Sequence, residues 1–490
     1  MSVSLRFLTL FWVLIVGVPL GPAFADKKKR KGSPIKDAKK LAKRQLVAEK
    51  KLVKEHLRFA KKFDKAKAKW ELWFEVKLAL RLDPKHKRAQ RLLPEFQPAL
   101  PDKVHPGFTL ARKTLKAMAH DELGAVLDRG QRGGLSGEAL APVAQSLLRY
   151  DADFAPARTA LGFKGRKGSW LRDSELTTQA RYAKAFATVP APKLLETSPF
   201  PKLEAALGLK LIVVRGAHCF AAGVSGSTTQ AELETLAKSA EVAYAAMHAD
   251  LLGQPNSVFG SKRQATGVKL KPWRAPLYLM LDGKKQHQIY LDKVVSNEEL
   301  KLVGRSLTFV STWWRAEKIL VSDSRARGKY LREWPSQHMA GQVIVQRFGG
   351  RRPTYLLQGL TRYYSAHVSR EARIRAVPMG SRSRDKNRMR AGDYAQLRGL
   401  ARWALDSFKV DPPAKLGLYK TLNAMNRADN AVATAFIDFL LARHRGALIK
   451  LLQVADEKKR SVEESYAEAF PGLTTEALDE AFAAWFLENY

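Results

Sequence analysis

The chain has 490 residues, with 85 Lys or Arg against 47 Asp or Glu and a formal net charge of +38. Hydrophobic residues make up 46%, which excludes a disordered chain and provides for the cores of two or three domains. One cysteine, Cys219, excludes an intramolecular disulfide, and a buried inert thiol is its expected state. The charge selects anionic partners in general: cell-wall polymers, lipid headgroups and nucleic acid all qualify.

Residues 1–25 read as a secretory signal peptide. Arg6 gives a short positive start, Phe7 to Val18 an apolar core, and Ala23-Phe24-Ala25 a small-x-small cleavage site before Asp26. The apolar stretch is short for a membrane span and is followed by Pro19 and Pro22; a retained anchor is the alternative. No later segment approaches the roughly 18 apolar residues of a span, so the expected product is a secreted or periplasmic protein with no transmembrane segment after cleavage.

Residues 26–60 are a basic arm. Asp26 to Trp70 hold 19 Lys or Arg against five acids. Lys27, Lys28, Lys29, Arg30 and Lys31 form an unbroken block, interrupted by Gly32-Ser33-Pro34. From Ile35, Leu41, Leu46, Leu52 and Leu57 recur at loose helical spacing. Such an arm is either a tether to a polyanion or a solvated leader into the first helix.

Residues 61–175 read as a helical repeat-like domain. One helix ends at Leu82-Asp83-Pro84 and another follows. The aromatic positions from Trp70, that turn, Ala89 and Leu92 resemble the second half of a tetratricopeptide-type repeat. A related phrase runs from Asp151 to Trp170, with Ala155, Ala157, Ala160 and Leu161 on a short helix. A single repeat cannot bury its own apolar face. The segment Phe108 to Tyr150, broken at Gly130, Gly133, Gly134 and Gly137, supplies the covering helices.

Residues 176–201, closing on the Pro-rich run Pro190 to Pro201, read as a linker region. Residues 202–490 form a second, α+β unit. A strand is expected in LGLKLIVVRG and an amphipathic helix over 229–252, with Leu233, Leu236, Val242, Ala243 and Met247 facing inward. Further strands are expected at Ala275 to Leu281, Gln288 to Leu291 and Leu307 to Val310. His218, His248, His287, His367 and His444 are scattered, and none pairs with another His at metal-ligand spacing. Ser322-Asp323-Ser324 lacks a nucleophile elbow.

The stretch Trp334 to Val368 organises this unit. Pro335 suits the first position of a helix; Ala340, Val343, Ile344 and Phe348 follow at helical spacing; Gly349 and Gly350 stop it. After Pro353 a second helix carries Leu356, Leu357, Leu360, Tyr363 and Tyr364. This layout resembles the peptidase MA-like gluzincin zinc metallopeptidases of secreted bacterial proteins. In that family one helix carries H-E-x-x-H and the next reads roughly P-x-W-L-x-E-G-L-A-x-Y-F. Pro353, Tyr355, Leu356, Gly359, Leu360, Tyr363 and Tyr364 match the second phrase. The chemistry departs from it. His338 stands at the first zinc-binding His, Met339 at the catalytic Glu, Gln342 at the second His and Gln358 at the zinc-binding Glu.

H-E-x-x-H works because residues four apart share a helix face and two imidazoles reach one metal. Amides are poor zinc ligands, and a thioether cannot take a proton from a bound water. The resemblance therefore implies the fold of a peptidase without its catalysis. No catalytic residue and no cofactor is expected, and His338 is the only surviving metal candidate; zinc belongs to the alternative, an active but atypical metallopeptidase. The resemblance also implies a small sheet ahead of the motif helices and a helical C-terminal subdomain behind them. The C-terminal phrases are amphipathic, with Thr474 or Thr475 capping the last helix over Ala477, Leu478, Phe482, Trp485 and Phe486.

Arg382, Arg384, Lys386, Arg388 and Arg390 form a basic loop beside the motif. With residues 27–31 they are the expected anion contacts. No aromatic-interleaved platform for nucleic acid accompanies them. The expectation is a predominantly helical α+β protein that binds or scaffolds in the cell envelope, engaging an anionic polymer or a protein partner and no specific nucleic acid.

Overall fold

Within the basic arm, Leu41, Ala48, Leu52, His56, Phe59 and Phe63 lie on one face at near-heptad spacing and are buried, while the lysines between them are exposed. That pattern makes α1 (Ala38–Lys65), opened by Asp37, whose carboxylate accepts from Lys40 N at 2.8 Å. The charge density suggests a leader; burial of this face makes the stretch from residue 38 a structural helix. Ile35 is buried against the end of α4, its N–H donating to Arg129 O at 2.9 Å.

In the computed structural model of the chain, the described residues are 32–94, 98, 104–165, 170–252, 258–259, 273–295, 312–314, 319–323, 330–349, 353–369, 401–402, 404–405, 413–414, 425, 427–455 and 460–490. Helices dominate, and the strands are few and short: an α+β fold that is mainly helical. No described helix is long and apolar enough to cross a membrane.

The N-terminal helices are α1, α2 (Lys69–Leu82), α3 (Lys87–Leu92), α4 (Pro106–Arg132), α5 (Gly137–Leu148) and α6 (Ala155–Ala160). They share one core, built from α1, α2, α4 and α5 around Leu52, Leu115, Leu123 and Leu147. Trp70, Trp73 and Phe74 form a small aromatic cluster beside it. A buried polar group crosses this layer. Glu75 accepts from His56 Nδ1 at 2.6 Å and from Arg112, while His56 Nε2 meets Tyr150 OH at 2.9 Å.

A two-stranded ribbon, β1 (Phe163–Lys164) with β2 (Leu171–Arg172), leads into α7 (Asp173–Thr188). The linker expected over residues 176–201 holds most of α7 and also β3 (Lys193–Leu194). Tyr182 and Ala185 of α7 are buried in the second core, so the Pro-rich run begins only after a packed helix.

The second core surrounds a six-stranded sheet, ordered β3-β4-β5-β6-β8-β7, with β4 (Leu211–Arg215), β5 (Phe220–Val224), β6 (Leu277–Leu281), β7 (Thr312–Trp314) and β8 (Ile319–Asp323). β5, β6 and β8 are parallel; the outer pairings are antiparallel. The strand period of two gives β6 two buried faces. Tyr278 and Met280 face the large core, and Leu277, Leu279 and Leu281 face a smaller one. That smaller core is covered by α8 (Pro201–Leu207) and α10 (Gly283–Lys293). The strand expected at Gln288 to Leu291 is part of α10: Gln288 bonds Asp292 one turn on, and Tyr290 and Leu291 pack under the sheet. The expected strand at 307–310 lies outside the described residues.

On the other face lie α9 (Gln230–Met247), extended by a π-turn at His248–Leu252, then α11 (Tyr330–Val343), extended by a π-turn at Ile344–Phe348, and α12 (Thr354–Ser369). Behind them stand α13 (Arg427–Arg443), α14 (Arg445–Val454), α15 (Val462–Ala469) and α16 (Thr475–Asn489). Thr474 caps α16, its Oγ1 accepting from Ala477 N at 3.2 Å.

Candidate functional site

The motif helix begins earlier than expected. Pro335 is inside α11 and not at its first position. Its ring removes one backbone donor, and Ser336 Oγ, one residue on, donates to Arg332 O at 2.6 Å and Glu333 O at 2.8 Å. The helix ends at Gly349, whose φ of +71° favours glycine. Pro353 then opens α12, its carbonyl accepting from Leu357 N at 3.1 Å.

His338 is 1% exposed, and burial lowers its pKa to about 3. It is therefore neutral at ordinary pH. The Gln342 amide meets its Nε2 at 3.3 Å. With that amide donating, the imidazole proton sits on Nδ1. Gln342 Oε1 in turn accepts from Gln346 Nε2 at 3.1 Å. Gln346 also pairs with the backbone of Arg274, donating to its carbonyl at 3.0 Å and accepting from its N–H at 2.9 Å. Residues 338, 342 and 346 thus form a ladder along one helix face, anchored to the segment that enters β6.

Met339 is fully buried in the large core. Gln358, on α12, is 8% exposed and turns to its own helix, accepting from Arg362 Nη2 at 3.4 Å. Arg362 continues to Asn430 Oδ1 at 2.9 Å, and burial, opposed by Glu333, lowers its pKa to about 10. The structure therefore joins His338 to Gln342 and gives Gln358 a different partner. These donors do not fit zinc: the one imidazole is bonded to an amide, the second amide faces a guanidinium, and no carboxylate stands at position 358. Among the described residues no three His, Cys, Asp or Glu side chains are grouped to hold a metal. The basic candidates at 27–31 and at Arg382, Arg384, Lys386, Arg388 and Arg390 lie outside the described residues.

Sequence reasoning missed the neighbouring seam. Tyr244 is stacked between His218 and His248, with ring centroids 3.8 and 3.9 Å away. Arg347 Nη2 donates to Tyr244 OH at 2.6 Å, and its guanidinium lies 5.1 Å from the Trp273 ring. Burial raises the Tyr244 pKa against the pull of Arg347. Glu241 accepts from His218 N at 2.6 Å and from His218 Nδ1 at 2.8 Å. Trp273 Nε1 donates to His218 O at 2.8 Å. Residues 273–274 and 346–347 thereby link this stack to the ladder. The spacing of 241, 244 and 248 on one face of α9 was a readable signal; the arrival of His218 from the β4–β5 turn was not. Cys219 is buried beside Glu241, and burial pushes its thiol pKa well up, which removes it as a nucleophile.

No protein-family model matches the chain, and no curated protein or solved structure matches it.

Proposed function

We propose that this is an exported, catalytically degenerate relative of the gluzincin metallopeptidases that acts by binding, in the cell envelope, to an anionic polymer. The observation that carries the reading is the His338–Gln342–Gln346 ladder. Of the groups at the proposed ligand positions, His338 and Gln342 are spent on each other, with Gln346 tying Gln342 to the Arg274 backbone, and Gln358 is spent on Arg362. A neutral imidazole with a lowered pKa and a buried thioether offer neither a metal cage nor a base. The chain order of sheet, then the α11–α12 hairpin, then further helices supports the family reading. The signal-like first 25 residues support export, and the net charge of +38 supports an anionic partner.

The test is elemental analysis of purified, chelator-free protein. Zinc well below one equivalent, unaltered in His338→Ala, is the expected result. Near-stoichiometric zinc that disappears in His338→Ala overturns the reading in favour of an atypical metallopeptidase.

A further inference from the structure

We infer that the outward face of α1 is a docking stripe for a linear, phosphate-bearing polyanion; this rests on the reading of the chain as a polyanion-binding protein and names where binding occurs. Lys40, Lys43, Lys50, Lys54, Lys61 and Lys65 are all exposed. At 100° per residue they fall within roughly 80° of arc, opposite the buried face of Leu41, Leu52, Phe59 and Phe63. None of the six forms an ion pair among the described residues. The acids of α1 stand off this arc and are otherwise engaged where partners are seen: Glu49 accepts from Gln45 and Ser146, and Glu55 binds Arg58. Along the row only Arg58, which falls on the same arc, is paired with an acid, Glu55; the six lysines face outward on either side of it.

The row runs nearly the whole of α1, whose 28 residues make a rod of about 42 Å. Its members recur every one or two turns, a spacing of roughly 5–10 Å. Regular like charges on a straight rod cost self-repulsion. A polymer with regularly spaced anions removes that cost along its whole length and gains entropy by releasing counterions. Lysine, a compact point charge on a flexible stem, suits tetrahedral phosphate without demanding a planar, bidentate partner. The only apolar residue in the row is Val47, 48% exposed. One valine gives a bilayer little to bury, and the row carries no aromatic ring on which a base could stack. The favoured partner is therefore a phosphate chain read by charge and spacing.

The test uses the full-length protein with long-chain inorganic polyphosphate, with binding followed across a salt series. The variant Lys40→Glu/Lys43→Glu/Lys50→Glu/Lys54→Glu changes only exposed side chains, and an unchanged circular dichroism spectrum and melting temperature serve as its folding control. The expected result is at least a tenfold weaker affinity at low salt and a shallower dependence on salt concentration. A second variant, residues 27–31 changed to Gln, is expected to lose much less. Equal loss in both variants, or loss only in the second, overturns the stripe as the site. Vesicles of anionic phospholipid are the second arm: binding to them that is tighter than to polyphosphate, and dependent on the same four lysines, overturns the polymer in favour of a membrane surface. Zinc content is measured on the same sample, so a failure here is separable from a failure of the degenerate-peptidase reading.

Discussion

At the scale of single residues, the buried imidazole of His338 makes stability depend on pH. Its folded pKa of about 3 lies below the ordinary 6.5, so the unfolded chain takes up the proton first. Its contribution is complete above about 6.5 and declines as pH falls towards 3, by up to about 1.4 kcal/mol per unit. His56, its pKa lowered mainly by burial, acts in the same sense. Urea unfolding of His338→Gln across pH 4 to 7 should show a flatter dependence than wild type, by close to one proton; an unchanged slope would mean that the imidazole titrates normally. The pairing of His338 with Gln342 was legible from residue spacing alone, because the two stand four apart on one helix face. Gln346 was not, since the template ends at position 342 and only the Arg274 backbone reveals why an amide is useful one turn further on.

At the scale of elements, α12 crosses α13 at Gly359. A Cβ there would stand 2.6 Å from Ala433 O and 2.7 Å from Ile437 Cγ1. Gly359→Ala should therefore cost about 1–3 kcal/mol through overpacking, measured as a lower urea midpoint with the slope retained. The same crossing sets a limit on building a zinc site here. Met339→Glu, Gln342→His and Gln358→Glu are needed together, because zinc affinity depends on several ligands acting at once. A carboxylate at position 358, however, would stand beside the Arg362 guanidinium, which already bonds the amide there. The triple variant is expected to bind zinc weakly by calorimetry, and more tightly when Arg362→Gln is added. Tight binding by the triple variant alone would show that Arg362 does not compete. Element type was readable where a stop signal was unambiguous, as at Gly349 and Pro353. It failed at Gln288–Leu291, where a short apolar run serves helix and strand equally, and at Pro335, where proline's preference for helix starts concealed an upstream turn. In α1 the density of lysine hid a buried face that the positions 41, 48, 52, 56, 59 and 63 already spelled out.

At the scale of the whole molecule, the two cores meet through the end of the chain. Arg158, only 6% exposed, donates from Nε to Ala152 O at 2.8 Å and from Nη1 to Tyr490 O at 2.6 Å. Its guanidinium lies 4.6 Å from the Phe163 ring centroid. Arg172 Nη1 reaches Asn489 Oδ1 at 3.2 Å, and Tyr490 OH donates to Asp438 at 2.8 Å. Arg158→Ala should cost about 1.5–3 kcal/mol, the usual penalty for stranding buried partners of a charged donor, and should split one unfolding transition into two if this contact couples the cores. A single transition with unchanged midpoint would show that the coupling lies elsewhere. None of this could be read from sequence, because an arginine in a short helix gives no sign of a partner so distant.

That partner is 332 positions away, which places the contact late in any folding route. The α1–α2 and α11–α12 pairings close short loops and can form as soon as their own segments exist, whereas the Arg158 contact must wait until both cores have taken shape. The last described helix therefore ties the two cores together across most of the length of the sequence, a contact that no pairing within either core can prepare.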